Sequence, residues 1–394
     1  MADRVFVAGV GMAPFATPRT SAPYDGMAQE AALRALADAG VSYDDVQQAY
    51  AGYVYGDSAS GQNALYGVGM SGIPIVNVNN NCSTGSSALW LARQAILGGA
   101  ADCVLVLGFE QMQRGALVSH WEDRPAPLAR FEQIAAGVQG EHPDVPSAAR
   151  LFGGAGRAYM ERYGVGPELF ARIAVKARRH ARHNPNAVFR DQVTLDEVRQ
   201  SPMIFDPLTR LQCCPPTCGA AAAVLVTEDF AHARGLRTDV AICAQALTTD
   251  TPASHSGDRM SLVGYDMARA AADRVYEQAG VGPGDIPVVE LHDCFTTNEV
   301  LSYEALRLTP EGTAEKFVRD GDHTYGGRVV TNPSGGLLSK GHPLGATGLA
   351  QCAELTWQLR GEAEARQVEG ASLALQHNIG LGGAAVVTLY EKVG

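Results

Sequence analysis

Three segments of this chain recur in the same order in its second half, and this repetition constrains the fold more than any other feature of the sequence. Residues 28–45, AQEAALRALADAGVSYDD, read as an Ala-rich amphipathic helix stopped by Gly40 and followed by Val41 and Asp45. Residues 268–285, ARAAADRVYEQAGVGPGD, repeat that layout with Gly280, Val281 and Asp285 in register. Next comes NCSTGSSALWLARQAILGGAADCVLVLG, a polar turn, a small-residue helix and the strand Cys103 to Leu107. Its counterpart is GHPLGATGLAQCAELTWQLRG with the strand-like ASLALQ at 371–376. Last, GAAAAVLVTE at 219–228 matches GGAAVVTLYE at 382–391, each a small-residue turn feeding an apolar strand. One such pair arises by chance as readily as by descent; three in one order imply a duplicated unit.

Strands alternating with helices in both halves predict an α/β layered architecture with mostly parallel strands. At 394 residues the chain exceeds what one core usually spans, which fits two halves, 1–235 and 236–394. The first half carries an insertion, about residues 115–205, of the kind that supplies ligand contacts or assembly surface. A net charge of −11 argues against a nucleic-acid binder, which needs clustered Lys and Arg to neutralise phosphate. No apolar run is long enough for a signal peptide or a membrane span, and eight cysteines without regular spacing read as reduced thiols, so a cytoplasmic location is expected.

Four segments can carry chemistry. Cys82, in NVNNNCSTGSSALW, lies where a polar turn meets a helix start, so the helix dipole and backbone N–H groups are expected to lower its pKa. The plain alternative is a small core residue. His342, in GHPLGATG, occupies the repeat-equivalent helix start, suited to proton abstraction; alone it would read as structural. In VVELHDCFTTNEV an apolar strand ends in His292, Asp293, Cys294 and Phe295 before a helix near Thr297, the strand end at which open α/β sheets bind ligands. A helix cap or metal site is the alternative there, although neither this segment nor Cys213, Cys214 and Cys218 has zinc-like spacing. ALQHNIGLGGAAVV brings Gly380, Gly382 and Gly383, whose backbone can approach a carbonyl oxygen closely.

Taken together, NNNCSTGS, HDCF, NPSGGLLSKGHPLGATG and HNIGLGG closely resemble the thiolase superfamily, specifically the sterol-carrier-protein-type thiolases, over essentially the whole chain. The resemblance implies a thiolase fold, with duplicated βαβαβαββ halves forming a five-layered αβαβα core and an inserted loop domain. It implies Cys82 as acylated nucleophile, His342 as its base and an oxyanion donor, and Cys294 as proton shuttle. His292 would replace the Asn of the usual Asn-Glu-Ala-Phe motif, and the N–H groups of Gly380 and Cys82 would form a second oxyanion hole. Most thiolases carry a second cysteine in a Cys-x-Gly-x-Gly turn; here Asn378 stands at that position. Relatives often have Asp where this chain has Cys218 before Gly219, which bears on local packing.

The implied activity is that of an acyl-CoA thiolase (acetyl-CoA C-acyltransferase type), cleaving a 3-oxoacyl-CoA with CoA or running the reverse Claisen condensation, in fatty acid or sterol side-chain metabolism. CoA is a co-substrate, with no permanent cofactor and no metal. Its phosphates call for local cations, and KARRHARHNPNAVFR offers Arg178, Arg179 and Arg182; Ser261 and Val263 in MSLVGYDM are candidates for the pantetheine channel. A homodimer or homotetramer is expected, with an accessory subunit as a further partner and no C-terminal lipid-carrier module after VVTLYEK. The rival readings are a retro-aldolase acting on a hydroxyacyl-CoA and a noncatalytic acyl-CoA- or lipid-binding subunit.

Overall fold

The computed structural model describes residues 4–113 and 121–394; the opening residues of the expected insertion, 115–120, lie outside them. The first half runs β1 (Val5–Ala16), α1 (Tyr24–Ala39), β2 (Gln48–Gly52), α2 (Ser60–Tyr66), β3 (Ile75–Val78), α3 (Thr84–Leu97) and β4 (Cys103–Glu110). An excursion follows, with α4 (Ala129–Gln139), α5 (Ser147–Tyr163), α6 (Glu168–Ala181), α7 (Leu195–Gln200) and a hairpin of β5 (Met203–Phe205) and β6 (Leu208–Thr209). β7 (Cys218–Val226) and α8 (Glu228–Arg234) complete this stretch. The second half is β8 (Val240–Thr248), α9 (Tyr265–Ala279), β9 (Val288–Glu290), α10 (Thr296–Ala305), α11 (Ala314–Arg319), β10 (Val330–Thr331), α12 (Gly336–Ser339), α13 (Thr347–Arg360), β11 (Leu373–Gly380) and β12 (Ala384–Lys392).

Ten strands form one sheet in the order β10-β9-β11-β12-β8-β1-β7-β4-β2-β3. Its two blocks share a plan: β3-β2-β4-β7-β1 reads strand for strand as β10-β9-β11-β12-β8, so β4 corresponds to β11 and α3 to α13. In each block three strands are parallel and the last two antiparallel. The blocks join through the pairs Val5–Ile242 and Phe6–Ala241. Both α3 and α13 pack on each other and on strands of both blocks, while α1 covers the outer face of the first block and α9 that of the second. The layers are therefore αβαβα, the duplicated thiolase-type architecture expected from the sequence.

Burial on both faces explains the composition of the strands. In β7, Ala221, Ala223 and Leu225 face the central cluster, whereas Ala220, Ala222, Val224 and Val226 face the outer one. Small residues are needed where α3 crosses α13. A Cβ on Gly85 would lie 2.6 Å from the carbonyl oxygen of Gly345, and one on Gly348 would lie 2.3 Å from the backbone nitrogen of Ser86. This close crossing brings the segments that precede both helices to one place. The insertion packs on the second half: Phe152, Tyr159 and Phe170 share a core with Val300, Leu301 and Tyr303 of α10. No helix among the described residues is long and apolar enough to cross a membrane.

Candidate active site

Cys82 occupies the turn between β3 and α3. Asn81 takes a left-handed conformation (φ 52°), and the Ser83 and Thr84 N–H groups donate back to the carbonyls of Asn80 and Asn81 at 3.2 and 3.1 Å. The opposite wall is the turn after β11. Asn81 Nδ2 donates to the Leu381 carbonyl at 2.9 Å, and a Cβ on Gly380 would lie 2.1 Å from the Asn80 carbonyl oxygen, so only glycine permits this approach. Part of Cys82 remains accessible, yet burial of its sulfur, and then the charge of Glu110, push the thiol up to about 12. The N–H groups of Cys82 and Leu381 act in the opposite direction and are outweighed. The expectation that the helix start lowers the thiol pKa is therefore corrected: desolvation dominates, and the free protein holds a thiol.

His342 does not cap α13, as its repeat position suggested. It lies five residues earlier, bridged to Pro216, because the Pro343–Gly345 turn delays the helix until Thr347. Its Nδ1 is 2.7 Å from Thr347 Oγ1, and that hydroxyl donates its single proton to the Pro343 carbonyl at 2.9 Å. Nδ1 must therefore be the donor, which leaves Nε2 with a lone pair. Nε2 is buried and has no partner among the described residues, and burial lowers the imidazole to about 3, keeping it neutral.

His292 follows β9. Its Nδ1 is 2.8 Å from Asn378 Nδ2, and burial, with His342 and His377 nearby, holds its pKa well below the ordinary range. The Cys82 sulfur and one ring nitrogen from each of His292 and His342 lie within 4.8 Å of one another. The two rings are perpendicular, with centroids 5.1 Å apart. One sulfur and two imidazoles are donor types that zinc also accepts. Cys294 is buried next to them; burial, then the charges of Cys214 and Cys82, push its thiol well up. The Asp293 carboxylate accepts from the Leu337 N–H at 2.7 Å, tying the His292–Cys294 turn to the segment that leads to His342.

The structure thus brings Cys82, His292, Cys294, His342 and Gly380 together from four separate segments. The basic candidates lie on or just after α6. Arg178 stacks 4.3 Å over the Phe189 ring, Arg179 donates to Thr324 Oγ1 at 2.9 Å, and Arg182 is exposed. Val263 packs in the same core as Cys294, while Ser261 Oγ donates to Asp266 at 2.6 Å. Cys218 opens β7 and exchanges hydrogen bonds with the backbone of Met112, at 3.2 Å to its N–H and 3.4 Å to its carbonyl, which accounts for a thiol at this position. Sequence reasoning missed Glu110, Thr347 and Cys214. The only signals were a lone acid closing the apolar strand β4, a hydroxyl five residues after His342, and a cysteine pair. Cys214 donates its N–H to the Cys294 carbonyl at 2.9 Å.

Fold and site together define an enzyme of the acyltransferase class. Residues 5–229 match the family described as Thiolase, N-terminal domain, and residues 249–391 match Thiolase C-terminal domain-like. Sterol carrier protein 2 of Rattus norvegicus is 54% identical over 98% of this chain and 72% of its own length. Among solved structures, the "Ltp2-ChsH2(DUF35) aldolase" matches with a TM-score of 0.83 and 24% identity, covering 99% of this chain and 98% of that one. Human mitochondrial 3-ketoacyl-CoA thiolase in complex with CoA matches with a TM-score of 0.73 and 18% identity, covering 100% and 99%. The chain belongs to the thiolase family of acyltransferases and is similar to the sterol-carrier-protein type.

Proposed function

We propose that this chain is a 3-oxoacyl-CoA thiolase working through an acyl-Cys82 intermediate, with CoA as co-substrate. The observation that carries the proposal is that His342 Nε2 is buried without a partner among the described residues, on a ring that brings one nitrogen within 4.8 Å of the Cys82 sulfur. His342 takes the thiol proton as the sulfur attacks the 3-keto carbon, and the N–H groups of Cys82 and Gly380 hold the oxyanion. Collapse breaks the carbon–carbon bond. The leaving enolate keeps its charge on the thioester oxygen, between His292 and the newly protonated His342, while Cys294 delivers a proton to its carbon. Cys294, now a thiolate, deprotonates incoming CoA, which takes the acyl group from Cys82. The same residues serve the reverse condensation.

Arg178, Arg179 and Arg182 are assigned to the CoA phosphates because none forms an ion pair among the described residues, and Ser261 and Val263 to the pantetheine channel. Eight free cysteines support a reducing compartment, and we place the chain in the cytoplasm. Likeness to an aldolase bound to a DUF35 partner favours one second reading, a retro-aldolase with an accessory subunit. Intact mass after mixing with a 3-oxoacyl-CoA, without free CoA, separates the two. Thiolysis predicts an acyl adduct on Cys82 that is lost in Cys82→Ala. Cleavage of a hydroxyacyl-CoA without any adduct would establish the aldolase instead.

A further inference from the structure

We infer that Asn378 is a positioning residue that fixes the proton of His292 on Nε2, making this imidazole an obligate hydrogen-bond donor to the substrate's thioester oxygen. A neutral imidazole carries one N–H, and the wrong tautomer would present a lone pair to a developing oxyanion. Something must therefore choose the tautomer, and the choice can be followed from an unambiguous acceptor. The Gly348 carbonyl can only accept, so the Gln376 side-chain group 2.7 Å away is the amide nitrogen. That nitrogen also donates to Ser86 Oγ at 2.8 Å, while the Gln376 oxygen receives the Tyr390 hydroxyl. Ser86 is left to give its single proton to Asn378 Oδ1, at 2.9 Å. The Asn378 amide is thereby oriented with Nδ2 toward His292, and an N–H facing Nδ1 at 2.8 Å requires a lone pair there. The proton of His292 must sit on Nε2.

Burial makes this relay decisive: Gln376, Asn378 and Tyr390 are 0% exposed, so water cannot reorient the amides. No hydrogen bond among the described residues occupies Nε2 of His292; one ring nitrogen of His292 lies within 4.8 Å of the Cys82 sulfur and a His342 nitrogen, and with Nδ1 engaged by Asn378 it is Nε2 that is left to meet substrate. The fold supplies the placement. Parallel pairing ends at Gln376 with Glu290, and two residues further along each segment Asn378 lies beside His292; alternation along β11 turns Gln376 and Asn378 to the same side, where α3 presents Ser86. The amide at position 378 and the imidazole at 292 thus form one functional unit. A protonated Nε2 also has no lone pair for a metal, so Cys82, His292 and His342 do not make a complete zinc set.

The assignment rests on the thiolysis proposed above only for what His292 does with its proton; which nitrogen holds the proton is measurable without substrate. In protein labelled with 15N-histidine, with His292 assigned through His292→Gln, the wild type should show Nε2 protonated and Nδ1 bare. In Asn378→Asp the carboxylate accepts from Nδ1, so the proton should move there near neutral pH. Turnover should then fall ~100-fold, the scale of losing one oxyanion donor, with KM changed less than about twofold. Acid should restore part of the activity, because an imidazolium carries both protons. Cys82 acylation from acetyl-CoA, which involves no carbon–carbon cleavage, should persist in the variant. A wild-type His292 protonated on Nδ1, or an unchanged His292 spectrum in Asn378→Asp, would overturn the inference even if Cys82 acylates normally. Failure of the wild type to acylate would instead sink the thiolase reading while leaving the tautomer result intact. Because the wild-type tautomer is read without Asn378→Asp, poor folding of that variant cannot remove the test.

Discussion

Cys82 rests as a thiol and His342 as a neutral imidazole, because the burial that brings them together penalises charge on either. In the proposed reaction the thiolate therefore forms only as attack proceeds, when charge passes to an oxygen held by backbone N–H groups. With the thiol pushed up to about 12, alkylation of Cys82 by iodoacetamide should rise ~10-fold per pH unit between about pH 6 and 9, following the thiolate fraction. Peptide mapping of Cys82 after timed exposure measures this; a rate independent of pH across that window would reveal a preformed thiolate–imidazolium pair. The four side chains proposed to react were legible as candidates in the sequence because each sits in a motif with turn or strand-end character. Their protonation was not. Ser86 and Asn378 are 292 residues apart, and nothing local to either says that one orients the other. Desolvation of Cys82 was equally hidden, since it comes from elements remote in the chain.

At the level of elements, the catalytic turns are tied together by buried acids that the mechanism does not consume. Glu110 closes β4, and its carboxylate accepts the N–H groups of Val54 at 3.1 Å, Tyr55 at 2.8 Å and Gly345 at 3.0 Å, linking a first-half loop to the His342 turn. Glu110→Ala leaves these donors without their acceptor and should cost ~2–3 kcal/mol, read by urea denaturation. Burial raises this carboxyl from 4.5 to about 7, so between those values the folded state binds a proton that the unfolded state does not. This group's contribution to stability must then fall as pH rises through that window. The gap between wild type and Glu110→Ala should be wider at pH 5 than at pH 7.5; a gap that widened with pH would refute the assignment. The repeated helices α1 and α9 were readable from their apolar faces and Gly stops, and β7 and β12 from their apolar runs. The short β9 was readable from its apolar run before His292; by contrast, β10 has two residues, too few to show a period, and the packing of the insertion on α10 leaves no mark in either segment.

The sheet has two edges, and among the described residues only one of them is closed within the chain. At β10 the insertion supplies the missing partners: Lys176 Nζ donates to the Thr331 carbonyl at 3.2 Å, and the His180 ring bonds the Asn332 carbonyl at 3.0 Å. The equivalent edge at β3 ends the sheet with Val76 44% exposed, and Met70 just before it is 76% exposed. An open edge with apolar side chains is a template for another strand. The homodimer expected from the sequence would fill it, since antiparallel pairing of two identical β3 strands closes both edges with one twofold axis. Light scattering should then give twice the 41.5 kDa chain mass, or four times if dimers pair again, and Val76→Lys should shift the mass to that of one chain. Three residues separate Val78 from Cys82, so freeing this edge also loosens the turn that holds the proposed nucleophile, and turnover should fall with the mass. A wild type that runs as a single chain at micromolar concentration, or a Val76→Lys variant that remains dimeric, would place the interface elsewhere.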